Sequence, residues 1–234
     1  MAFTMKTHRR QQQHDHSREQ IKAIAWKQIT ENGASALSLG AIARELGVTP
    51  PALYRYFPSR DDLVTALIQE AYASFVAALE SARDALPEAD PAGRLRSLCL
   101  AYRGWAIDHP QQYILIFGTP IPGYRLDPAA GLAADHSFLV LLDVFATAEA
   151  AGRIVPSAGF EELPPGLEAQ LEAAVRRTRP YSARVLYLAL AGWSFIHGMT
   201  SLELDQHSSL ILESQADAFF RLEVERFIRS IGLA

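Results

Sequence analysis

Residues 38–63 read SLGAIARELGVTPPALYRYFPSRDDL. Ser38 suits a helix N-cap, and Leu39, Ile42, Ala43 and Leu46 follow at i, i+3, i+4 and i+7, the spacing of one buried helical face. Gly47 ends that helix. Thr49 then caps a second, short helix opening with Pro50 and Pro51, tolerated because first-turn N–H groups have no intrahelical partner to lose. This helix ends by Phe57-Pro58. Two short helices joined by a tight glycine-containing turn make a helix-turn-helix, whose second helix enters the major groove of DNA with its N-terminal side chains toward base edges. Leu53 and Phe57 anchor that helix from behind, leaving Thr49, Pro50, Ala52 and Arg55 outward for DNA. Tyr54, Tyr56 and Arg60 suit phosphates, since a phenol donates one hydrogen bond and a guanidinium pairs an oxyanion bidentately. Arg44 faces either the groove or solvent.

The same helical period extends in both directions. Upstream, Ile21, Ile24, Ala25 and Ile29 define a helix from about Ser17 to Asn32, stopped by Gly33. Downstream, Ser59 caps a longer helix with Asp61 and Asp62 in its first turn, where carboxylates favour the helix dipole, running to about Leu86. Asp90-Pro91 opens the next helix, which reaches His109 and stops at Pro110. Helical segments are then predicted over residues 111–117, 128–151, 166–178, 181–204 and 214–231. No stretch alternates like a strand, so the fold class is all-α. The predicted organisation is a flexible basic arm over 1–17, a helix-turn-helix DNA-binding domain over 18–63, and a larger helical domain over 64–234.

Charge divides along the same line. Residues 1–60 carry nine Lys/Arg against four Asp/Glu, a balance of +5 in a chain whose total is −4, which leaves −9 for the rest. A basic module on an acidic body fits a protein that meets a polyanion at one end only. The arm residues Lys6, Arg9 and Arg10 either lie along phosphates, enter a minor groove or belong to a frayed end. His14-Asp15-His16 supplies too few fixed ligands for a metal.

The lone cysteine, Cys99, sits in an apolar helical pattern and reads as packing in a reducing compartment. No charged-then-apolar leader opens the chain, and the one long apolar stretch, 181–204, is interrupted by Arg184, His197 and Glu203. A cytoplasmic protein without a membrane span or a cofactor is therefore expected. Enzymatic function is disfavoured: there is no glycine-rich phosphate loop and no His-Glu-x-x-His, and Gly192-Trp193-Ser194-Phe195-Ile196 lacks the second glycine of a nucleophile elbow.

The run Leu53-Tyr54-Arg55-Tyr56-Phe57-Pro58-Ser59-Arg60-Asp61-Asp62-Leu63, behind Ile42-Ala43-x-x-Leu46-Gly47-Val48, resembles the DNA-binding domain of TetR-type transcriptional regulators over about residues 18–68. The resemblance implies that Tyr54, Tyr56 and Arg60 meet phosphates and that Ser38 helps at the start of the second helix. Gly40, Pro50, Pro51 and Ala52 stand where many relatives carry polar or basic side chains. Base readout would then lean on Arg55, Arg44, methyl contacts to thymine and DNA shape. In the C-terminal half, Tyr102-x-x-Trp105-x-x-x-His109-Pro110-x-x-Tyr113 and Trp193-x-x-x-His197-Gly198 resemble the effector domain of a Trp-His-Gly subgroup, over about residues 90–205.

These readings converge on a repressor released from a palindromic double-stranded DNA operator by a small hydrophobic or aromatic effector. The expected effector pocket is lined by Trp105, Tyr113, Phe117, Phe138, Trp193 and His197. His197 is open to a second reading as a core histidine. The last two helices carry Leu188, Gly192, Phe195 and Met199, and Phe220, Val224, Phe227 and Ile231. One stripe can face the core while the other meets a partner, which predicts a homodimer through these helices, with Ala189 and Gly192 allowing close approach. An architectural DNA binder with a merely structural C-terminal body is the alternative, separable by saturable small-molecule binding.

Overall fold

A computed structural model describes residues 2–125, 127–154, 163–178, 181–205 and 209–233, with no side-chain description for residues 2–10, 129, 176–178, 209 and 210. Its helices are α1 (Ala2–Asn32), α2 (Leu39–Leu46), α3 (Pro50–Tyr54), α4 (Arg60–Asp84), α5 (Pro91–Asp108), α6 (Pro110–Phe117), α7 (Pro128–Ala150), α8 (Pro165–Thr178), α9 (Ala183–Leu204), α10 (Ser209–Leu212) and α11 (Ala216–Ser230). Among the described residues the extended structure amounts to one isolated antiparallel bridge, Ile154 with Leu233. The all-α expectation therefore holds. One boundary moves: α1 begins at Ala2 instead of near Ser17, and Ser17 Oγ bonds back to the Gln13 carbonyl at 3.0 Å instead of capping. The side chains of Lys6, Arg9 and Arg10 lie outside the described residues.

The chain forms two compact units that do not follow sequence order. The first comprises residues 1–71 and 111–131, so that α6 and its following loop join the helix-turn-helix instead of the larger domain. Its core is Ile21, Ala25 and Ile29 of α1, Ile42 of α2, Leu53, Phe57, and Leu63, Val64 and Leu67 of α4, all buried.

The second unit comprises residues 72–110 and 132–234. Phe75, Leu95, Phe145, Leu188, Phe220 and Ile231 fill it, each with almost no solvent contact. Arg103 on α5 donates to both Glu203 carboxylate oxygens at 2.7 Å and to Asp217 at 2.9 Å, tying α5 to α9 and α11, and Arg96 pairs with Glu225 alongside. Cys99 is fully buried in this core, and desolvation pushes its thiol up to about 12, because the thiolate would lose its hydration with little in return.

Among the described residues, three helices reach the length and hydropathy of a membrane span: α4, residues 130–150 of α7, and α9. The sequence reading had singled out only the last. Between a third and a half of each apolar window is buried inside the chain, as expected where helices are apolar on more than one side because they are packed on more than one side.

Candidate functional site

In the first unit the helix-turn-helix is assembled by local chemistry. Ser38 is extended, and its Oγ accepts from the Ala41 N–H at 3.3 Å while its own N–H donates to Gln28 Oε1 at 3.2 Å. Gly47 takes φ 68°, a left-handed conformation that a side chain resists. The Val48 N–H then returns to the Ala43 carbonyl at 3.0 Å, closing the turn. Thr49 is the N-cap of α3 by position and backbone, although its side chain makes no capping bond; Pro50 and Pro51 fill the first turn. Leu53 and Phe57 are each 1% exposed and fasten α3 to the core.

Ser38, Arg44, Thr49, Pro50, Tyr54 and Arg55 are exposed, and Ala52 and Tyr56 are half-buried. Tyr54 stands out at 49% exposure, a large phenol with no core to fill. Arg60 departs from expectation. Its Nε donates to the Leu37 carbonyl at 3.2 Å and its Nη2 to those of Ala34 and Ser35 at 3.1 and 3.4 Å. Those donors staple the α1–α2 connection, which is the physical reason the side chain does not stand ready for a phosphate.

Sequence reasoning missed Arg18. Its Nη1 donates to the Tyr56 carbonyl at 2.6 Å, and its guanidinium lies 4.2 Å over the Phe57 ring, so it fixes the end of the recognition segment. Its partners are 38 residues away, beyond any local signal. Lys22 and the Trp26 indole N–H both meet Glu70, holding α1 against α4.

In the second unit, the expected pocket aromatics pack against one another. Phe75 sits with ring centroids 5.0 Å from Tyr102 and 4.8 Å from Trp105; Trp193 lies 5.6 Å from Tyr102 and 5.9 Å from Phe138. The Trp105 N–H donates to Ser74 Oγ at 3.0 Å. His197 Nδ1 is 2.9 Å from the Tyr102 hydroxyl, and burial lowers its pKa below the ordinary histidine value. Tyr113 and Phe117 form their own pair, centroids 5.0 Å apart, in the first unit. Of the six residues, Trp105, Phe138, Trp193 and His197 thus belong to the second unit and Tyr113 and Phe117 to the first.

A cavity of about 690 Å³ lies elsewhere in the second unit, among α4, α7, α8 and α9, and of the six only Phe138 lines it. Leu139, Leu142, Val175 and Leu186 supply apolar wall; Glu80, Arg83, Asp135, His136, Asp143 and Tyr181 supply polar groups. Arg83 is held bidentately by Asp84 at 2.7 and 3.1 Å. Tyr181 donates its hydroxyl to Asp143 at 2.8 Å, and His136 Nε2 lies 3.4 Å from Glu80. The signal for this site was in the sequence: Asp135-His136 and Asp143 interrupt an otherwise apolar helix, an expensive placement unless the charges face water or a ligand.

Comparison with known proteins is consistent with both units. Residues 21–67 match the family described as "Bacterial regulatory proteins, tetR family", and residues 95–227 match "Tetracyclin repressor-like, C-terminal domain". The chain is 39% identical over 123 residues to the HTH-type transcriptional regulator Rv1816 of Mycobacterium tuberculosis, a match covering 50% of this chain and 53% of that protein. The chain thus spans about half the length of the curated relatives it matches. The crystal structure of the regulatory protein SCO4313 superposes with a TM-score of 0.77 at 37% identity, over 94% of this chain and 98% of that one. A bacterial regulatory protein in the tetR family from Rhodococcus RHA1 shares the fold, with a TM-score of 0.60 at 20% identity over 93% and 97% of the two chains.

Proposed function

Because the chain belongs to the TetR family of bacterial regulatory proteins, DNA-binding transcriptional regulators and not enzymes, we propose that it is a cytoplasmic repressor released from a palindromic operator by a small effector with a hydrophobic or aromatic body. The observation that carries the DNA half is the α3 face: Tyr54 and Arg55 exposed over a buried Leu53 and Phe57. Arg55, with Thr49, Pro50 and Ala52, meets base edges; Tyr54, Tyr56 and Ser38 meet phosphates, and Arg44 lies at the groove edge. Arg60 acts indirectly, by holding the turn between α1 and α2.

The effector enters the 690 Å³ cavity, whose volume suits a drug-sized molecule. Trp105, Trp193, Phe138 and His197 form the packed wall behind it. Glu80 and Arg83, which line the cavity, stand on α4, the helix that also carries Leu63 and Leu67 of the DNA-binding core. An effector that favours one setting of α4 then changes operator occupancy, and a coupling of about 1–3 kcal/mol changes it roughly five- to 150-fold.

A homodimer through the last two helices places two recognition helices in successive grooves. The faces left for the partner differ from the stripes read in sequence. Phe220, Val224, Phe227 and Ile231 are buried in their own chain, Phe195 stacks on Phe227 at 4.9 Å, and Gly192 is where the Phe227 and Phe145 rings come close. The exposed apolar residues of these helices are Leu190 and Leu202 on α9 and Phe219 and Leu222 on α11.

The test is selection of random duplex DNA by the full chain, followed by titration of the selected duplex at several salt concentrations. A palindrome is expected, and Arg55→Ala is expected to lose about 1–3 kcal/mol at one position per half-site. Salt-sensitive, sequence-blind binding alone would overturn the repressor reading.

A further inference from the structure

We propose that the N-terminal extension of α1 is a second DNA-contacting element: a rigid helix along the phosphate backbone flanking each operator half-site, with Lys6, Arg10 and His14 as its contact row and Arg18 as its anchor. This rests on the DNA-binding reading of the helix-turn-helix and carries it outward to the flanking duplex.

Where the extension starts is the observation that carries it. α1 runs unbroken from Ala2 to Asn32, so residues 2–16 continue the helix whose later turns, at Ile21, Ala25 and Ile29, are buried in the core of the first unit. As it leaves that core, α1 is fastened twice to the end of the recognition segment. Arg18 Nη1 donates to the Tyr56 carbonyl at 2.6 Å, with its guanidinium 4.2 Å over the Phe57 ring. One turn earlier the His14 ring lies against the Tyr56 ring, centroids 4.9 Å apart. The extension therefore departs from the edge of the DNA face and not from the far side of the unit. By register, Lys6, Arg10, His14 and Arg18 stand at i, i+4, i+8 and i+12, one row along the helix. From Lys6 to Arg18 the row spans about 18 Å, the rise of about five base pairs. Over residues 1–18, Lys6, Arg9, Arg10 and Arg18 are opposed by Asp15 alone. Asp15 accepts from Gln11 at 2.9 Å and lies 3.8 Å from His14 Nδ1, and the following Glu19 pairs with Lys22 at 2.9 Å, so the nearby acids already have partners.

Other occupants fit less well. Between Lys6 and Arg18 there is no apolar residue, so the extension has no stripe to bury against a protein helix or in a bilayer. A helix polar on every side gains from side-chain pairs and from what it binds; Gln11 with Asp15 supplies the first, and a polyanion that neutralises the cations supplies the second. The helical backbone also decides between the two modes open to a basic arm. A helix about 10 Å across does not thread a minor groove about 6 Å wide, so the contacts are to phosphate and carry no base sequence. In a two-fold complex the outer flanks keep the two rows apart, whereas rows meeting at the symmetry axis would set like charges together.

The test uses the duplex selected by the full chain, either trimmed to its palindrome or carrying about ten base pairs of arbitrary sequence at each end, titrated at several salt concentrations. The wild type is expected to bind the flanked duplex at least about tenfold more tightly than the trimmed one, with a steeper salt dependence. The triple variant Lys6→Gln, Arg9→Gln, Arg10→Gln is expected to lose that gain, to lower the salt slope on the flanked duplex by about 2 or more, and to keep the wild-type affinity for the trimmed duplex. Gln12→Pro keeps every charge but breaks the helix, a loss that circular dichroism reads, and is expected to lose the gain as well. Exchanging A·T flanks for G·C flanks is expected to change nothing. A flank gain below tenfold, a gain that survives the triple variant or Gln12→Pro, or a marked preference between A·T and G·C flanks overturns the proposal. If selection yields no palindrome, the regulator reading falls. The extension is then scored on a random-sequence duplex, where the triple variant is expected to show the same drop in salt slope. A palindrome without a flank gain does the reverse.

Discussion

Arg60 spans the loop between α1 and α2 with donors to the carbonyls of Leu37, Ala34 and Ser35. Removing the guanidinium takes a donor from each of these oxygens; the Ala34 carbonyl keeps the Leu37 N–H and Ser35 is exposed, so the cost falls mainly on the carbonyl of the buried Leu37 and on the lost cross-link of the loop. Arg60→Ala should therefore lower stability by about 1–3 kcal/mol in urea denaturation, whereas Arg55→Ala, on an exposed face, should stay within about 0.5 kcal/mol. Any loss of operator affinity in Arg60→Ala would then track loss of fold, and Arg55→Ala would separate the two. The contrast also shows what a sequence exposes at this scale. The bond from Ser38 to Ala41 spans three residues and was legible as a cap, whereas the partners of Arg60 lie 23 to 26 residues away and those of Arg18 lie 38 away. A cation's chemistry can be read locally; what it is spent on cannot.

At the scale of the element, helix ends were the most legible feature, because capping is short-range. Asp90 accepts from the Gly93 N–H at 2.8 Å, and Ser182 caps α9 through the Val185 N–H at 3.0 Å. Gly93 has a role that the sequence pattern hid: a Cβ there would run into the Asp90 carboxylate. Asp90→Ala and Gly93→Ala should each cost about 1 kcal/mol, and the double variant should cost little more than either alone, since both remove one cap. Thermal melts of the four proteins check the cycle; full additivity would mean that the two residues act independently. The start of α1 was misread for a related reason. Residues 2–16 contain no glycine or proline to stop a helix, and Gln11 bonds to Asp15 one turn on, so the polar segment continues the helix that Ser17 was expected to begin.

For the whole molecule, residue type proved a poor guide to where empty space lies. Trp105, Trp193 and Phe138 have the chemistry of a ligand pocket, yet large rings that meet across helices fill volume, and the 690 Å³ cavity is lined by Phe138 but not by the two tryptophans. The same holds for dimerisation. The apolar periods of α9 and α11 were readable, but which period turns inward depends on the other helices of the unit. Leu190→Glu with Leu202→Glu should leave the melting of the monomer nearly unchanged, because both positions are exposed, and should weaken self-association by about 100-fold or more, because a dimer would bury unpaired charge. Sedimentation across a concentration series gives the answer, and a double variant that stays dimeric would move the interface elsewhere.

The burial of Cys99 has a practical consequence. A thiol raised to about 12 is almost wholly protonated at neutral pH and sealed from solvent, so thiol reagents should find nothing to react with until the chain is unfolded; Ellman titration before and after denaturant checks this, expecting zero and then one equivalent. The sequence contains no other cysteine. A cysteine introduced at the exposed Gln69 of α4 would then be the sole labelling handle, with the native residue left in place. Paired spin labels at that position would read the separation between the two copies of α4 in ångströms, with and without operator DNA.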